Sequence, residues 1–462
     1  DGNLYYADGQ VREEDYEYGS FMLSRLALKG VTCMNCHDAH SGKLLMPVSD
    51  NSLCMTCHAA PGWNGAVVID PLAHSHHQDG SAGNRCVDCH MPVTRYMVHD
   101  PRRDHGFTVP DPQLTKELGI PNACNRCHTE ETSDWAIEWS EKWYGEKLAN
   151  RRSRKRARLI ERVRNGDHSN VDAMIEMARE EEIPAWRAGL IGLFDPRELD
   201  TADGQFLKQS LDHESPIVRA AAIRGLAPVP GSYPLLHPLR KDPVRLVRLD
   251  ASWATLHPSF RESASNTDLM TYLNHISDQP AGALRQAQLA ITERRMEDAV
   301  QWADRAAKWD PSAAAVHMKG RVYHAAGRLP EAETALQEAV KLDPRVAEHH
   351  YALALLEAEM KHPQKALQAL KATVKVDPEF GRAWYNLGLG HAALEQLEEA
   401  VNALLKAEAL MTDSPDAAYA RATVHLRQND HARAREAIHA SLKIQPDFAP
   451  ALQIQRGLDT QN

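Results

Sequence analysis

Cys33-Met34-Asn35-Cys36-His37, Cys54-Met55-Thr56-Cys57-His58, Cys86-Val87-Asp88-Cys89-His90 and Cys124-Asn125-Arg126-Cys127-His128 are four copies of one pentapeptide. Two thiols three positions apart, followed at once by an imidazole, suit attachment to one rigid macrocycle. The thiols form thioethers to the porphyrin, and the adjacent His lies under the ring as proximal iron ligand. One copy alone would read equally as a zinc half-site or a redox pair. Four copies, each closed by His, point to four covalent c-type haems. The chain holds 8 Cys and all lie in these motifs, so no disulfide framework is available. The haem-binding thiols are Cys33, Cys36, Cys54, Cys57, Cys86, Cys89, Cys124 and Cys127. The proximal ligands are His37, His58, His90 and His128.

Around the motifs, residues 31–128 show little helical or strand periodicity, and Pro47, Pro61-Gly62, Pro71, Pro92 and Pro110 interrupt the chain. This pattern fits a domain whose core is porphyrin and whose polypeptide is a wrapping of short helices and loops. The sixth ligands must come from the other His. His40, His74, His77 and His105 are the first choices, with His76 and His99 behind them. Met46, Met91 and Met97 are alternatives that would raise the potential. Arg85, Arg95, Arg102 and Arg103 are candidate partners for the haem propionates.

Upstream, Tyr5, Tyr6, Tyr16 and Tyr18 precede Phe21-Met22-Leu23, a segment expected to pack on the first haem. Downstream, Trp135, Ile137, Trp139, Trp143 and Leu148 mark a helical stretch. It leads into Arg151-Arg152-Ser153-Arg154-Lys155-Arg156-Ala157-Arg158. That run reads as a solvated or propionate-facing flank, or as a contact for an anionic membrane surface or acidic redox partner.

Between about 165 and 277, Ala185-Trp186-Arg187-Ala188-Gly189-Leu190 recurs as Ile217-Val218-Arg219-Ala220-Ala221-Ala222 and as Leu246-Val247-Arg248-Leu249-Asp250-Ala251, with Pro184, Pro216 and Pro243 ahead of the copies. These units resemble HEAT-like helix pairs. Further on, Asp310-Pro311, Asp343-Pro344 and Asp377-Pro378 recur, and Gln445-Pro446 ends a later copy. Ala332, Ala366, Ala400 and Ala434 are spaced evenly. With Trp384-Tyr385-Asn386-Leu387-Gly388 and His391 in place of the usual Tyr, this segment resembles tetratricopeptide repeats, which stack into a solenoid with a protein-binding groove.

The fold expected is mostly α: a tetrahaem cytochrome c domain over 1–135, a linking helix with the basic run over 136–164, HEAT-like repeats over 165–277 and tetratricopeptide repeats over 278–462. The net charge of −10 argues against nucleic acid as a partner. No window of about 18 apolar residues is present, so no membrane-spanning helix is expected. Covalent haem is attached outside the bacterial cytoplasm. An export signal, removed from this chain, and a periplasmic, cell-surface or extracellular location are therefore expected.

Several stretches carry a wider resemblance: Tyr6-Ala7-Asp8-Gly9-Gln10, Tyr18-Gly19-Ser20-Phe21, Lys29-Gly30-Val31-Thr32-Cys33, His37-Asp38-Ala39-His40-Ser41-Gly42-Lys43, Cys89-His90-Met91-Pro92 and Gly119-Ile120-Pro121-Asn122-Ala123-Cys124. They resemble exported bacterial multihaem cytochromes with C-terminal tetratricopeptide repeats, a group related to cytochrome c nitrite reductase and the tetrahaem cytochromes of nitrification. Members commonly carry haem motifs further upstream, so an additional haem-bearing chain or N-terminal part is implied. The Cys-x-x-Cys-Lys motif of a nitrite reductase catalytic haem is absent here.

The first expectation is an electron carrier with four bis-His haems, its solenoid docking redox partners or further copies of the chain, in the extreme as an extracellular cytochrome filament. The alternative is an enzyme acting on a small nitrogen or sulfur oxyanion at an open haem, with His99, Arg102, Arg103, Lys43 and Tyr96 available for charge and proton delivery. A third is a scaffold in which the solenoid is the essential surface.

Overall fold

The computed structural model describes residues 4–13, 17–61, 65–96, 100–167, 169–196, 198–256, 267–412 and 414–459. The fold is mostly helical, and the chain divides into two compact units, residues 1–255 and 256–462.

In the first unit, each Cys motif is a single helical turn. Cys33–Asn35 is a 3-10 turn, and Ser52–His58, Cys86–His90 and Cys124–Cys127 are α-helical. Helical spacing puts the two Cys and the following His, at i, i+3 and i+4, on one face. Between the second and third motifs, Pro71–Ser75 opens with Pro at its first turn. The Asp70 carboxylate caps it by accepting from the Leu72 and Ala73 amides. Val93–Tyr96 and Asp100–Arg103 form an antiparallel hairpin in which Val93 faces Arg103. The sequence offers no alternating pattern there, and the pairing returns Arg103 to Asp88 at 2.8 Å.

The helix Ser133–Ala149 is capped by the Thr132 hydroxyl, which accepts from the Trp135 amide, and breaks at Gly145 (φ 48°). Trp135, Trp139 and Trp143, four residues apart, share one face of it. The helix Arg152–Arg164 follows. Its arginines are engaged inside the unit: Arg154 makes a bidentate buried pair with Asp111 at 2.7 and 2.8 Å, and Arg158 grips Glu117 in the same manner. Arg156 pairs with Glu181 at 2.7 Å and lies 3.4 Å over the Trp186 ring. Arg154, Arg156 and Arg158 therefore stitch together elements far apart in sequence, while Arg151 and Lys155 of the same run are exposed.

Val171–Arg179, Pro184–Ile191, Ala202–Ser210, Pro216–Leu226 and Arg245–Ala254 complete the unit around Leu190, Ile191, Phe206, Leu207, Ile223, Leu226 and Val247. The Arg repeated in the sequence shares one task, to which Arg219 adds a bidentate pair with Asp242 at 2.9 Å. Arg187 donates to the Arg179 carbonyl, Arg219 to those of His213 and Glu214, and Arg248 to those of Asp242 and Pro243. Each secures the turn preceding its own helix. Tyr6, Leu23 and Leu28 pack on this same core. The leader segment also reaches the Cys-rich region: Phe21 meets Phe107 at 6.5 Å, the Val11 amide donates to the Asp104 carboxylate at 2.9 Å, and the Gln10 side-chain amide donates to the Pro121 carbonyl at 2.9 Å.

The second unit runs from Thr267–His275 through paired helices to Ala449–Asp459. Ala332, Ala400 and Ala434 are fully buried. A Cβ on Gly320 would meet Leu336 at 2.8 Å, and one on Gly388 would meet Leu404 at 2.6 Å. The pair crossings thus require small residues on both helices. Asp310, Asp343 and Asp377 each accept from the amide two residues on, an Asx turn that starts the next helix. Arg294, Gly327, Lys361, Glu395 and Asn429 all adopt left-handed φ between 56° and 74° at the turn inside each pair. Among the described residues, no helix is long and apolar enough to cross a membrane.

Candidate functional site

The four motifs lie next to one another in chain order. Cys36 is within electrostatic reach of Cys57, Cys54 of Cys86, and Cys89 of Cys124 and Cys127. Each motif turn therefore neighbours the next.

Three of the four motif histidines face a second imidazole. His37 and His105 have ring centres 6.3 Å apart, His90 and His74 6.1 Å, and His128 and His77 6.2 Å. An iron bound at roughly 2 Å from each imidazole nitrogen sets the ring centres about 6 Å apart, so the gap in each pair is that of bis-His ligation. The first-choice distal candidates His74, His77 and His105 are thus each brought opposite a motif histidine. His40 is not: it lies in the exposed turn after His37, where its amide donates to Asp38. Among the described residues no imidazole faces His58 as the others are faced. His99 and Met97 lie outside the described residues. His76 is stacked on Trp143 instead, 4.7 Å between centres and 14° between planes.

The ring nitrogens are set for ligation. Nδ1 of His37 lies 2.8 Å from the Gly42 carbonyl, of His58 2.7 Å from Val67, of His90 2.9 Å from Thr108, of His77 2.6 Å from Ser75, and of His105 2.9 Å from Arg103. A carbonyl can only accept, so Nδ1 carries the proton and Nε2 keeps its lone pair for a metal. Burial also holds His90 and His74 below the ordinary imidazole value, which favours the neutral, ligating form.

Apolar side chains around the motifs complete the fit. Leu44, Leu45, Met46, Val67, Val68 and Leu72 are exposed, whereas such residues are ordinarily buried. A porphyrin held by the neighbouring cysteines would cover them. The donor set, the imidazole gaps and this apolar rim together fit haem c.

Three of the four guanidinium groups proposed for propionates have carboxylate partners in the chain, and Arg95 is exposed. Arg85 and Arg103 both pair with Asp88, and Arg102 pairs with Asp100. Arg103 also donates to the Val87 and Met91 carbonyls, which fixes the third motif to the hairpin. Lys43 is exposed.

Two supporting residues escape a reading of the sequence. Gly83 sits against His77, and a Cβ there would lie 2.1 Å from the ring. Trp135 is 4.7 Å from His128. The even spacing of Trp135, Trp139 and Trp143 is the one signal that could have pointed to a ligand-lining face.

Comparison with known proteins agrees with both regions. Residues 27–62 match a model described as a doubled CXXCH motif. Residues 320–360 match a TPR repeat model and residues 351–418 a tetratricopeptide repeat model. No curated protein matches the chain. Among solved structures, "YrrB: a TPR protein with an unusual peptide-binding site" is 21% identical with a TM-score of 0.35, over 40% of this chain and 97% of its own. MamA protein is 19% identical with a TM-score of 0.35, over 38% and 95%. MamA 41-end from Desulfovibrio magneticus RS-1 is 22% identical with a TM-score of 0.34, over 37% and 98%. The chain thus joins a haem-binding type of CXXCH motif to tetratricopeptide repeats.

Proposed function

We propose that the chain is an electron-transfer cytochrome carrying four covalent c-type haems. The observation that carries this reading is the trio of facing imidazole pairs, His37 with His105, His90 with His74 and His128 with His77, each spaced for an iron. A six-coordinate c-haem supplies one-electron chemistry, its iron alternating between ferric and ferrous forms. The chain's residues provide the rest. The eight thiols fix position, the carbonyls behind Nδ1 fix ring orientation, and the apolar rim and Trp face exclude water. Adjacency of the motifs in chain order supports a continuous row.

In this reading the protein is exported and acts in the periplasm or outside the cell, in line with the resemblance to exported multihaem cytochromes. The middle helices are HEAT-like, and the tetratricopeptide unit docks redox partners or further copies of the chain, up to an extracellular filament. A sixth ligand for the iron at His58 comes from His40, from His99 or from a neighbouring copy.

A second reading, an enzyme acting on a small nitrogen or sulfur oxyanion, is favoured by one observation: the absence of an imidazole facing His58 among the described residues. Intact mass with low-temperature EPR of the oxidised protein separates the two. Four attached haems with only low-spin ferric signals support the carrier. A high-spin signal from one haem in four that shifts on adding nitrite supports the enzyme. Fewer than four haems refutes both.

A further inference from the structure

The turn His74-Ser75-His76-His77 gives one imidazole opposite His90 and another opposite His128. Four consecutive residues therefore serve two different irons, and the two rings must point in different directions. The backbone achieves this at His76, which ends the helix Pro71–Ser75 in the left-handed region at φ 57°. A left-handed residue turns the chain at a helix end, and here its surroundings grip it.

The surroundings are the end of the helix Ser133–Ala149. Trp143 stacks on His76 and meets His77 edge-on at 6.1 Å. Tyr144 donates from its hydroxyl to the His74 carbonyl at 2.7 Å and lies 5.8 Å from the His74 ring. At the other end of the same helix face, Trp135 rests on His128 at 4.7 Å. Trp135 and Trp143 are eight residues apart, about 12 Å of helix, and they flank an imidazole pair whose centres are 6.2 Å apart. One helix thus touches both imidazoles of one iron and the distal imidazole of the next.

We propose that Trp143 and Tyr144 are positioning residues for two irons at once: by clamping His76 and the His74 carbonyl, they hold the turn so that His74 and His77 ligate neighbouring haems. The proposal rests on the haem reading above. It assigns His76 as the clamped residue and removes it from the ligand set.

The test is Trp143→Ala, Trp143→Phe and Tyr144→Phe in the full haem-loaded chain. Each variant is followed by intact mass, low-temperature EPR and a potentiometric titration resolved by haem. The expected result for Trp143→Ala is four attached haems with altered g-values and midpoints at two of them, and no change at the haem ligated by His105. Tyr144→Phe changes the haem of His74 alone, and Trp143→Phe, which keeps a ring on His76, restores most of the native spectrum. An unchanged spectrum in Trp143→Ala with full haem content overturns the clamp. So does an equal shift at all four haems. Absence of haem in the parent protein would instead refute the haem reading. Should Trp143→Ala fail to accumulate, the two Phe variants decide by the same criteria.

Discussion

Gly83 offers a sharp perturbation, because it removes a ligand without touching one. A methyl group added there lies 2.1 Å from Cδ2, 2.5 Å from Cγ and 2.7 Å from Nε2 of His77. Ordinary contact begins at 3.4 Å, so the ring must retreat by about 1.3 Å. It cannot simply rotate. Nδ1 is tied to the Ser75 carbonyl at 2.6 Å, and the Trp143 ring stands at 6.1 Å. Metal–ligand distances hold to within roughly 0.2 Å, so a displacement six times larger withdraws Nε2 from bonding distance. Gly83→Ala is expected to keep four haems by mass while one low-spin ferric signal in four is lost or becomes high-spin. Overpacking of this kind costs about 1–3 kcal/mol, so the first unit should also melt earlier. The assay is EPR of the oxidised variant beside Ala82→Gly as a control at the neighbouring position. Four unchanged low-spin signals in Gly83→Ala would refute both the placement of His77 and its role as a ligand.

Other outcomes are equally checkable. Asp111→Ala leaves the buried Arg154 guanidinium without its carboxylate, and chemical denaturation should show a loss of about 3 kcal/mol or more; a change under 1 kcal/mol contradicts the stitching role. Lys361→Gly relieves a left-handed residue at φ 60° in an exposed turn, so the second unit should gain about 0.5–1 kcal/mol, read as a rise in its thermal midpoint. Burial, with the neighbouring His349 ring and Arg321, pushes the His317 imidazole from 6.5 down to about 4. The unfolded chain binds the proton more readily between those values. The second unit should therefore keep full stability above pH 6.5, weaken as pH falls towards 4 and lose nothing more from this group below that. His317→Gln should flatten that slope in denaturation curves taken at several pH values, and an unchanged slope would contradict the assignment.

The parts of this fold that were legible in the sequence are those encoded locally. The motif turns show because thiol, thiol and imidazole must share one helical face within five residues. The repeat unit shows because crossings demand small residues at a fixed interval, as at Ala332 and Ala400. Distal ligation is another matter. His74, His77 and His105 were candidates by residue type, but which motif histidine each faces depends on the hairpin and on the turn at His76. His40 looked as good by type and stays in an exposed turn. The basic run was opaque because its carboxylates, Asp111, Glu117 and Glu181, lie 43, 41 and 25 positions from their arginines. The hairpin was opaque because Val93–Tyr96 and Asp100–Arg103 carry too little alternation to announce a strand.

The left-handed residues of the second unit bear on how such a chain changes length. Each helix pair carries a left-handed residue inside it, and the pairs that end at Asp310, Asp343 and Asp377 pass through an Asx turn to the next helix. A cut placed at Lys361 and another at Glu395 would release one complete segment, and the surviving seam would pair the same backbone shapes as before. Because every pair packs chiefly on its immediate neighbours, segments can be lost or duplicated without redesign of the remainder. The Cys-rich region of the first unit is held differently. One turn there sets His74 opposite His90 and His77 opposite His128, so inserting a single residue between them would rephase two imidazole pairs together. Segments of the second unit can thus come and go singly, whereas the turn from His74 to His77 ties two imidazole pairs to one fixed spacing.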